Sequence, residues 1–202
     1  MGDHAANREA LGRLLLEYLD RPQDRARIAA EIERRFRKPQ AIVVMDSTGF
    51  SRSVREGGII HYLALLKRLE GHLRPVIERS GGRELRTEAD NIFAVFPDVA
   101  SALDGAVACL AEVHRVNQGL PDDEDVYVSM GIGYGEVLLI DPDDLFGDEM
   151  NLACKLGEDI AQGDEILLTP AARAALTNER WEFEELDLSI SGLRVNAFRL
   201  QR

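Results

Sequence analysis

Two aspartates that follow apolar segments are the residues of this sequence whose types and positions best suit metal chemistry. Asp46 comes directly after the apolar run 41–45, and Asp90 lies in the turn Ala89-Asp90-Asn91 between two short segments of strand-like composition. Carboxylate oxygens bind hard divalent cations such as Mg²⁺ or Mn²⁺. An aspartate at the end of a strand or in a turn is equally often a simple turn-forming residue, so the pair matters only if the fold brings the two carboxylates together.

The glycine-containing turn that follows the first aspartate reads Ser47-Thr48-Gly49-Phe50-Ser51 and leads toward a predicted helix. Free backbone N–H groups in such a turn can bind phosphate. Thr48, Gly49, Phe50 and Ser51 are therefore candidate substrate-binding residues.

A third polar group lies on a helix predicted over residues 148–160. Asn151 and Lys155 are four residues apart, so they share one face of that helix. An amide and an ammonium group on one face can donate hydrogen bonds to a charged ligand. The spacing alone is explained as well by an ordinary exposed polar face.

The first forty residues differ in pattern from the rest of the chain. Helical spacing of apolar residues over 8–19 and over 24–36 predicts two short amphipathic helices, and Lys38-Pro39 ends the second one. We expect residues 1–40 to form a helical lead-in that packs on the main domain or on a partner subunit. Residues 41–202 then form the main domain.

Strands and helices alternate from residue 41 onward. Strands are predicted over 41–45, 84–88, 92–96, 126–133, 136–140, 165–168, 181–186 and 195–200, and helices over 58–80, 99–117, 148–160 and 170–176. The glycines around Tyr134 indicate a bend or bulge between two strands. The order βαββαβ predicts an α/β (α+β) fold with a ferredoxin-like core and additional C-terminal strands. In that core the end of the first strand and the turn between the next two strands meet at one edge, which would bring Asp46 and Asp90 together.

The charge of the chain limits its partners. With 36 acidic and 24 basic residues the formal net charge is −12, which disfavours nucleic acid and anionic lipid as partners. A phosphate ligand remains compatible with this charge when a metal ion mediates the contact. The apolar runs are too short to span a bilayer, and two cysteines are expected to be free thiols. We therefore expect a cytoplasmic protein.

Three blocks of the sequence, in this order, resemble the signature blocks of class III nucleotidyl cyclases. They are residues 43–51, 86–96 and 144–156, and the likeness in order and spacing extends over roughly residues 41–200. The resemblance implies an enzyme, a phosphorus–oxygen lyase that converts a nucleoside triphosphate to its 3′,5′-cyclic monophosphate and pyrophosphate. It also implies two Mg²⁺ or Mn²⁺ ions per site and a homodimer with two shared sites.

The same resemblance implies roles for individual residues. Asp46, Asp90 and the carbonyl of Ser47 would bind metal, and Arg86 and Asp144 would select the base. Asn151 would orient the ribose, and Lys155 would stabilise the transition state. One subunit would supply the metal ligands of a site and the other subunit would supply the remaining residues.

Four positions depart from the usual pattern of that family. Lys155 replaces an arginine, Arg86 a lysine, Ala89 a glycine and Ser191 a lysine. Lysine keeps the positive charge but loses the planar guanidinium fork. A catalytically weak or inactive nucleotide-binding module on the same fold therefore stays open. A dinucleotide cyclase or a polymerase-like palm domain is a weaker alternative, since neither would use Asn151 and Lys155.

Hydrogen-bonding groups favour adenine as the base. Arg86 can donate to the N1 acceptor of adenine, and Asp144 can accept from its amine. Guanine carries a donor at N1, which Arg86 cannot accept. Cytosine presents the same acceptor-and-amine pattern as adenine, so the sequence favours ATP and leaves CTP, and less readily UTP, open.

Overall fold

The structure is a computed structural model that describes residues 2–48, 50–121, 124–140, 144–178, 180–190 and 193–202. Its helices are α1 (Gly2–Asp20), α2 (Arg25–Phe36), α3 (Phe50–Arg79), α4 (Val99–Asn117), α5 (Asp148–Cys154) and α6 (Pro170–Ala175), and a π-helical turn (Lys155–Ile160) directly follows α5. Its strands are β1 (Arg37–Thr48), β2 (Arg83–Glu88), β3 (Asn91–Phe96), β4 (Tyr127–Ile140), β5 (Asp144–Phe146), β6 (Ile166–Leu168), β7 (Glu182–Ile190) and β8 (Leu193–Gln201).

One sheet organises the described part of the chain. Its strand order is β2-β3-β1-β4-β6-β8-β7, and β5 pairs separately with β4. Each neighbouring pair among the first four strands of that order is antiparallel, which is the arrangement of a ferredoxin-like core. The predicted fold class, with C-terminal strands added to this core, is confirmed.

The central strand β1 is buried on both faces. Ala41, Val43 and Met45 pack with α3 and α4, whereas Ile42 and Val44 pack on the opposite face with residues of α5. Burial on both sides explains why this segment is a continuous apolar run and not an alternating one. The strand is longer than predicted because it pairs with β3 on one side and with β4 on the other.

The predicted break between two strands near Tyr134 is wrong, because β4 runs without interruption from Tyr127 to Ile140. Its glycines allow α5 to approach closely. A Cβ atom on Gly131 would lie 2.0 Å from the carbonyl oxygen of Ala153, and one on Gly133 would lie 2.5 Å from that of Glu149. The glycines are therefore required for helix packing and not for a bend.

The two predicted N-terminal helices are present, and they pack on the main sheet. Leu11, Ile28, Ile32 and Phe36 form a buried cluster with Ile140 at the end of β4. The proposed boundary at residue 40 stays a prediction, and β1 already begins at residue 37. Both cysteines are free. Within the described residues, every helix is too short or too polar to cross a lipid bilayer.

Candidate active site

The fold brings the two predicted metal-binding carboxylates together at one edge of the sheet. Asp46 pairs with Asn91 across β1 and β3, and Asp90 occupies the preceding position in the β2–β3 turn. Burial raises the pKa of Asp46 to about 7, and the negative charges of Asp90 and Glu158 contribute to that increase. The carboxyl group of Asp46 is thus destabilised in its ionised form, as expected for neighbouring carboxylates that lack a counter-charge.

This donor set fits a hard divalent cation, since it offers carboxylate oxygens and a local excess of negative charge. Ser47, whose carbonyl is the third predicted ligand, is itself buried, with 4% of its surface exposed. Among the side chains that the structure describes, none forms a cluster of three or more His, Cys, Asp or Glu residues able to hold a metal ion. A cation here would therefore need main-chain or substrate oxygens in addition to the two aspartates.

The turn that carries Asp90 has a left-handed residue. Ala89 adopts a φ of 54°, a conformation that glycine reaches without steric cost and that alanine reaches only at a cost of about 1–2 kcal/mol. The replacement of glycine by alanine at this position therefore keeps the shape of the turn and adds backbone strain next to Asp90.

Arg86, Asp144 and Asn151 line one cavity of about 620 Å³. The structure therefore brings together both predicted base-selecting residues and the predicted ribose-orienting residue. The other lining residues are partly apolar and come from β2, β3, β5, α5 and the segments between them; they are Thr87, Glu88, Phe93, Leu145, Phe146, Gly147, Met150 and Cys154. A partly open pocket of mixed polarity, with three charged side chains among its lining residues, suits a nucleobase.

The charged groups of this cavity are paired with each other. The guanidinium of Arg86 forms a hydrogen-bonded ion pair with Asp144 and lies 4.6 Å from the centre of the Phe93 ring. Its Nε is buried, lacks a hydrogen-bond partner among the described groups and lies 3.3 Å from the Glu88 carboxylate. A base that enters the cavity would therefore meet an arginine already held in place by Asp144, Phe93 and Glu88.

Lys155 lies outside the residues that line this cavity. It is exposed, and its Nζ is 2.7 Å from the carboxylate of Asp159, one turn further along. Hydrogen bonding to Asp159 raises the pKa of Lys155, so the ammonium group stays charged. The helix face predicted to carry Asn151 and Lys155 is therefore followed by the carboxylate of Asp159, which binds Lys155.

Helix geometry changes at Lys155. The α-helix ends at Cys154, and the backbone continues as a wider π-helical turn in which Ala161 N–H donates to the carbonyl of Leu156 at 2.8 Å. The single helix predicted over 148–160 is thus two segments. Such π-helical turns are rare and often occur at functional sites.

Some predicted site residues fall where the structure gives no description. Gly49 lies outside the described residues, and so do the side chains of Thr48, Phe50 and Ser51. Their role as phosphate-binding groups stays a prediction.

Sequence reasoning missed three residues near the predicted site. Tyr62 donates a hydrogen bond to Asp90, Glu158 acts on the pKa of Asp46, and Arg8 of α1 lies 3.9 Å from Asp144. Tyr62 lies at a helical position that is typical of a core residue. The one feature of the sequence that could have indicated its role is that a buried tyrosine needs a hydrogen-bond partner for its hydroxyl. Arg8 is far away in the sequence, and no local pattern indicates its position.

Comparison with known proteins gives a consistent picture. No protein-family profile matches the sequence. A curated protein of Rhizobium meliloti (strain 1021), named "Putative adenylate cyclase 3", is 27% identical over 120 residues, which is 59% of this chain and 20% of that protein. The matched region thus spans about one fifth of the curated relative.

Solved structures with a similar fold are cyclases as well. The adenylate/guanylate cyclase/hydrolase from Silicibacter pomeroyi superposes with a TM-score of 0.67 at 23% identity, covering 81% of this chain and 96% of that one. The adenylyl cyclase CyaB from P. aeruginosa superposes with a TM-score of 0.69 at 18% identity, covering 82% of this chain and 95% of that one. Guanylyl cyclases are also among the neighbours. The chain therefore has the fold of class III adenylate and guanylate cyclase catalytic domains, and its resemblance to that family is confirmed.

Proposed function

We propose that this chain is a nucleotidyl cyclase that converts a nucleoside triphosphate, with ATP favoured, to its 3′,5′-cyclic monophosphate and pyrophosphate. The observation that carries the proposal is that Arg86, Asp144 and Asn151 line one cavity in a chain with the cyclase fold. The curated relative named as an adenylate cyclase supports the same reaction.

The reaction is an intramolecular displacement at phosphorus. The 3′-oxygen of the ribose forms a bond to the α-phosphorus, and the bond from that phosphorus to the α–β bridging oxygen breaks. The 3′-hydroxyl proton leaves to solvent, and pyrophosphate departs with the electron pair of the broken bond. Asp46, Asp90 and the carbonyl of Ser47 would hold two Mg²⁺ or Mn²⁺ ions, whose chemistry is to activate the 3′-oxygen and neutralise triphosphate charge.

Asn151 and Lys155 would act on the ribose and on the phosphates of the substrate. Asn151 would donate a hydrogen bond that orients the ribose, which limits the 3′-oxygen to a productive direction. Lys155 would stabilise the charge that develops on the phosphates, as a single ammonium group and without the bidentate geometry of arginine. The neighbouring Asp159 competes for that ammonium group, so we expect turnover to be slower than an arginine would allow.

We propose a homodimer with two shared sites as the active form. Asp46 and Asp90 are not among the residues that line the cavity with Arg86 and Asp144, which supports a site that two copies of the chain complete. The resemblance to cyclases implies that the metal ligands of one copy and the remaining site residues of a second copy form one complete site. Two-fold symmetry then generates two equal sites.

The pairing of Arg86 with Asp144 supports a base that offers an acceptor beside an amine. Adenine and cytosine both satisfy this pattern. Guanine does not, because its N1–H would face the guanidinium of Arg86. CTP is therefore the second substrate to test.

A nucleotide-binding module without turnover is the second candidate function. It is favoured by the exposed ion pair of Lys155 with Asp159, which occupies the group that would stabilise the transition state. This candidate predicts metal-dependent binding of triphosphate with no cyclic product.

One experiment distinguishes these candidates. Purified protein is incubated with Mn²⁺ or Mg²⁺ and separately with ATP, GTP, CTP and UTP, and the products are identified by mass spectrometry. We expect 3′,5′-cyclic AMP from the wild type and none from Asp46→Ala. Binding without product supports the module, and product that persists in Asp46→Ala contradicts the proposed site.

A further inference from the structure

Tyr62 is a nearly buried tyrosine whose hydroxyl lies at the carboxylate pair. Only 4% of its surface is exposed, and its hydroxyl lies 3.0 Å from Ser47 Oγ and 3.2 Å from Asp90 Oδ2. Residues 47 and 90 belong to different elements, the end of β1 and the β2–β3 turn, and Tyr62 belongs to a third element, α3.

The direction of these hydrogen bonds follows from the donors available. The phenol has one proton, which it donates to the Asp90 carboxylate. Its oxygen can then only accept from the Ser47 hydroxyl, because an acceptor and a donor role are both needed for the two contacts. The order is therefore Ser47 to Tyr62 to Asp90, and the chain of hydrogen bonds ends on a proposed metal ligand.

Asp90 needs such support because of where it lies. It occupies a two-residue turn next to the left-handed Ala89, and a turn side chain has more rotamer freedom than one within a strand. Each hydrogen bond to a ligating carboxylate restricts that freedom, and loss of such outer partners typically weakens metal binding about 10–100-fold.

We propose that Tyr62 is a positioning residue that holds the Asp90 carboxylate ready to bind a divalent cation and, through Ser47, ties the end of β1 to the same turn. The inference rests on the proposed function, because it assumes that Asp90 is a metal ligand. Tyr62 acts through Asp90 and does not itself contact the substrate.

The test measures binding of Mn²⁺ alone to the full chain, by the electron paramagnetic resonance signal of free Mn²⁺. Tyr62→Phe keeps the ring and removes the hydroxyl, and Tyr18→Phe on α1 is the matched control. Asp46→Ala defines the background. We expect Tyr62→Phe to bind Mn²⁺ about tenfold more weakly than the wild type, and Tyr18→Phe to bind it equally well.

Kinetics separate positioning from a general structural role. If Tyr62 positions Asp90, the Tyr62→Phe variant needs more Mn²⁺ for half-maximal turnover and regains most of its kcat at saturating Mn²⁺. A merely structural role would lower kcat at every Mn²⁺ concentration. Should Tyr62→Phe fail to fold, as judged by circular dichroism, Ser47→Ala removes the donor to the phenol and keeps the main-chain carbonyl, with an expected loss of about threefold.

Two results would overturn the inference: Mn²⁺ affinity of Tyr62→Phe (or of Ser47→Ala) equal to that of the wild type, or wild-type binding that does not depend on Asp46. Failure of the proposed function looks different. In that case the wild type forms no cyclic product from any triphosphate, while the difference in Mn²⁺ affinity between wild type and Tyr62→Phe is still measured.

Discussion

Lys155 and Asp159 form an ion pair on one face of the π-helical turn, with 2.7 Å between the ammonium nitrogen and the carboxylate oxygen. Both side chains are about half exposed, so the pair is weak and can exchange for a stronger anion. A triphosphate is such an anion. Asp159 therefore competes with the phosphates of the substrate for Lys155, the residue proposed to stabilise the transition state.

Removal of this competitor is expected to improve substrate use. In Asp159→Asn the Lys155 ammonium is free to contact phosphate, and we expect kcat/KM for ATP to rise about two- to fivefold, in line with the free energy of an exposed ion pair. Steady-state kinetics at fixed Mg²⁺ measure the effect. Glu31→Gln, which removes an exposed ion pair of α2, serves as control and should leave kcat/KM unchanged. An unchanged or lower kcat/KM in Asp159→Asn would show that Asp159 does not compete with the triphosphate for Lys155.

Substitution of Asp144 should reveal base selection. Asp144→Ala removes the proposed acceptor for an exocyclic amine and releases Arg86, so we expect kcat/KM for ATP to fall at least about tenfold. Parallel assays with all four triphosphates measure selectivity, and the control is Asp148→Ala, which changes an exposed carboxylate at the start of α5. An equal loss for every base would mean that Asp144 stabilises the fold and does not read the base.

The raised pKa of Asp46 predicts a pH-dependent effect on stability. Because the pKa rises from 3.8 to about 7 on folding, the folded chain binds more protons than the unfolded chain between these values, and stability falls as pH rises through that range. Asp46→Asn removes this penalty. Without divalent metal we expect the variant to melt a few degrees above the wild type at pH 8, with the difference vanishing below about pH 4.

Calorimetry at several pH values checks this expectation, with Asp148→Asn as the exposed control. Added Mn²⁺ should raise the Tm of the wild type at pH 8 and leave Asp46→Asn unaffected. A difference in Tm that is the same at pH 4 and pH 8 would contradict the assignment of the effect to ionised Asp46.

Close packing of α5 on β4 gives a stability prediction. Gly131→Ala would place a Cβ atom 2.0 Å from the Ala153 carbonyl oxygen, so the helix must shift, and we expect a loss of about 2–3 kcal/mol. Gly71→Ala in α3 meets nothing within 4 Å and should instead stabilise the chain by about 1 kcal/mol. Urea denaturation measures both variants. If Gly131→Ala is as stable as the wild type, the close approach of α5 is not required.

Local patterns in the sequence determined many of the secondary-structure elements and their order. Apolar periodicity located α4 with its correct bounds, and it located the βαββαβ order that makes Asp46 and Asp90 neighbours. These features are local because hydrophobic spacing and turn residues act over a few positions. The resemblance of three short blocks then pointed to Arg86, Asp144 and Asn151, which the structure places around one cavity.

Tertiary structure decided the features that depend on distant residues. The glycines of β4 are typical of a bend, and only the packing of α5 against them shows why they are needed. The contact of Tyr62 with Asp90 joins residues 28 positions apart. Sequence patterns report which face of an element is buried, but only packing of the elements fixes which hydroxyl meets which carboxylate, since a hydrogen bond requires placement to within a few tenths of an ångström.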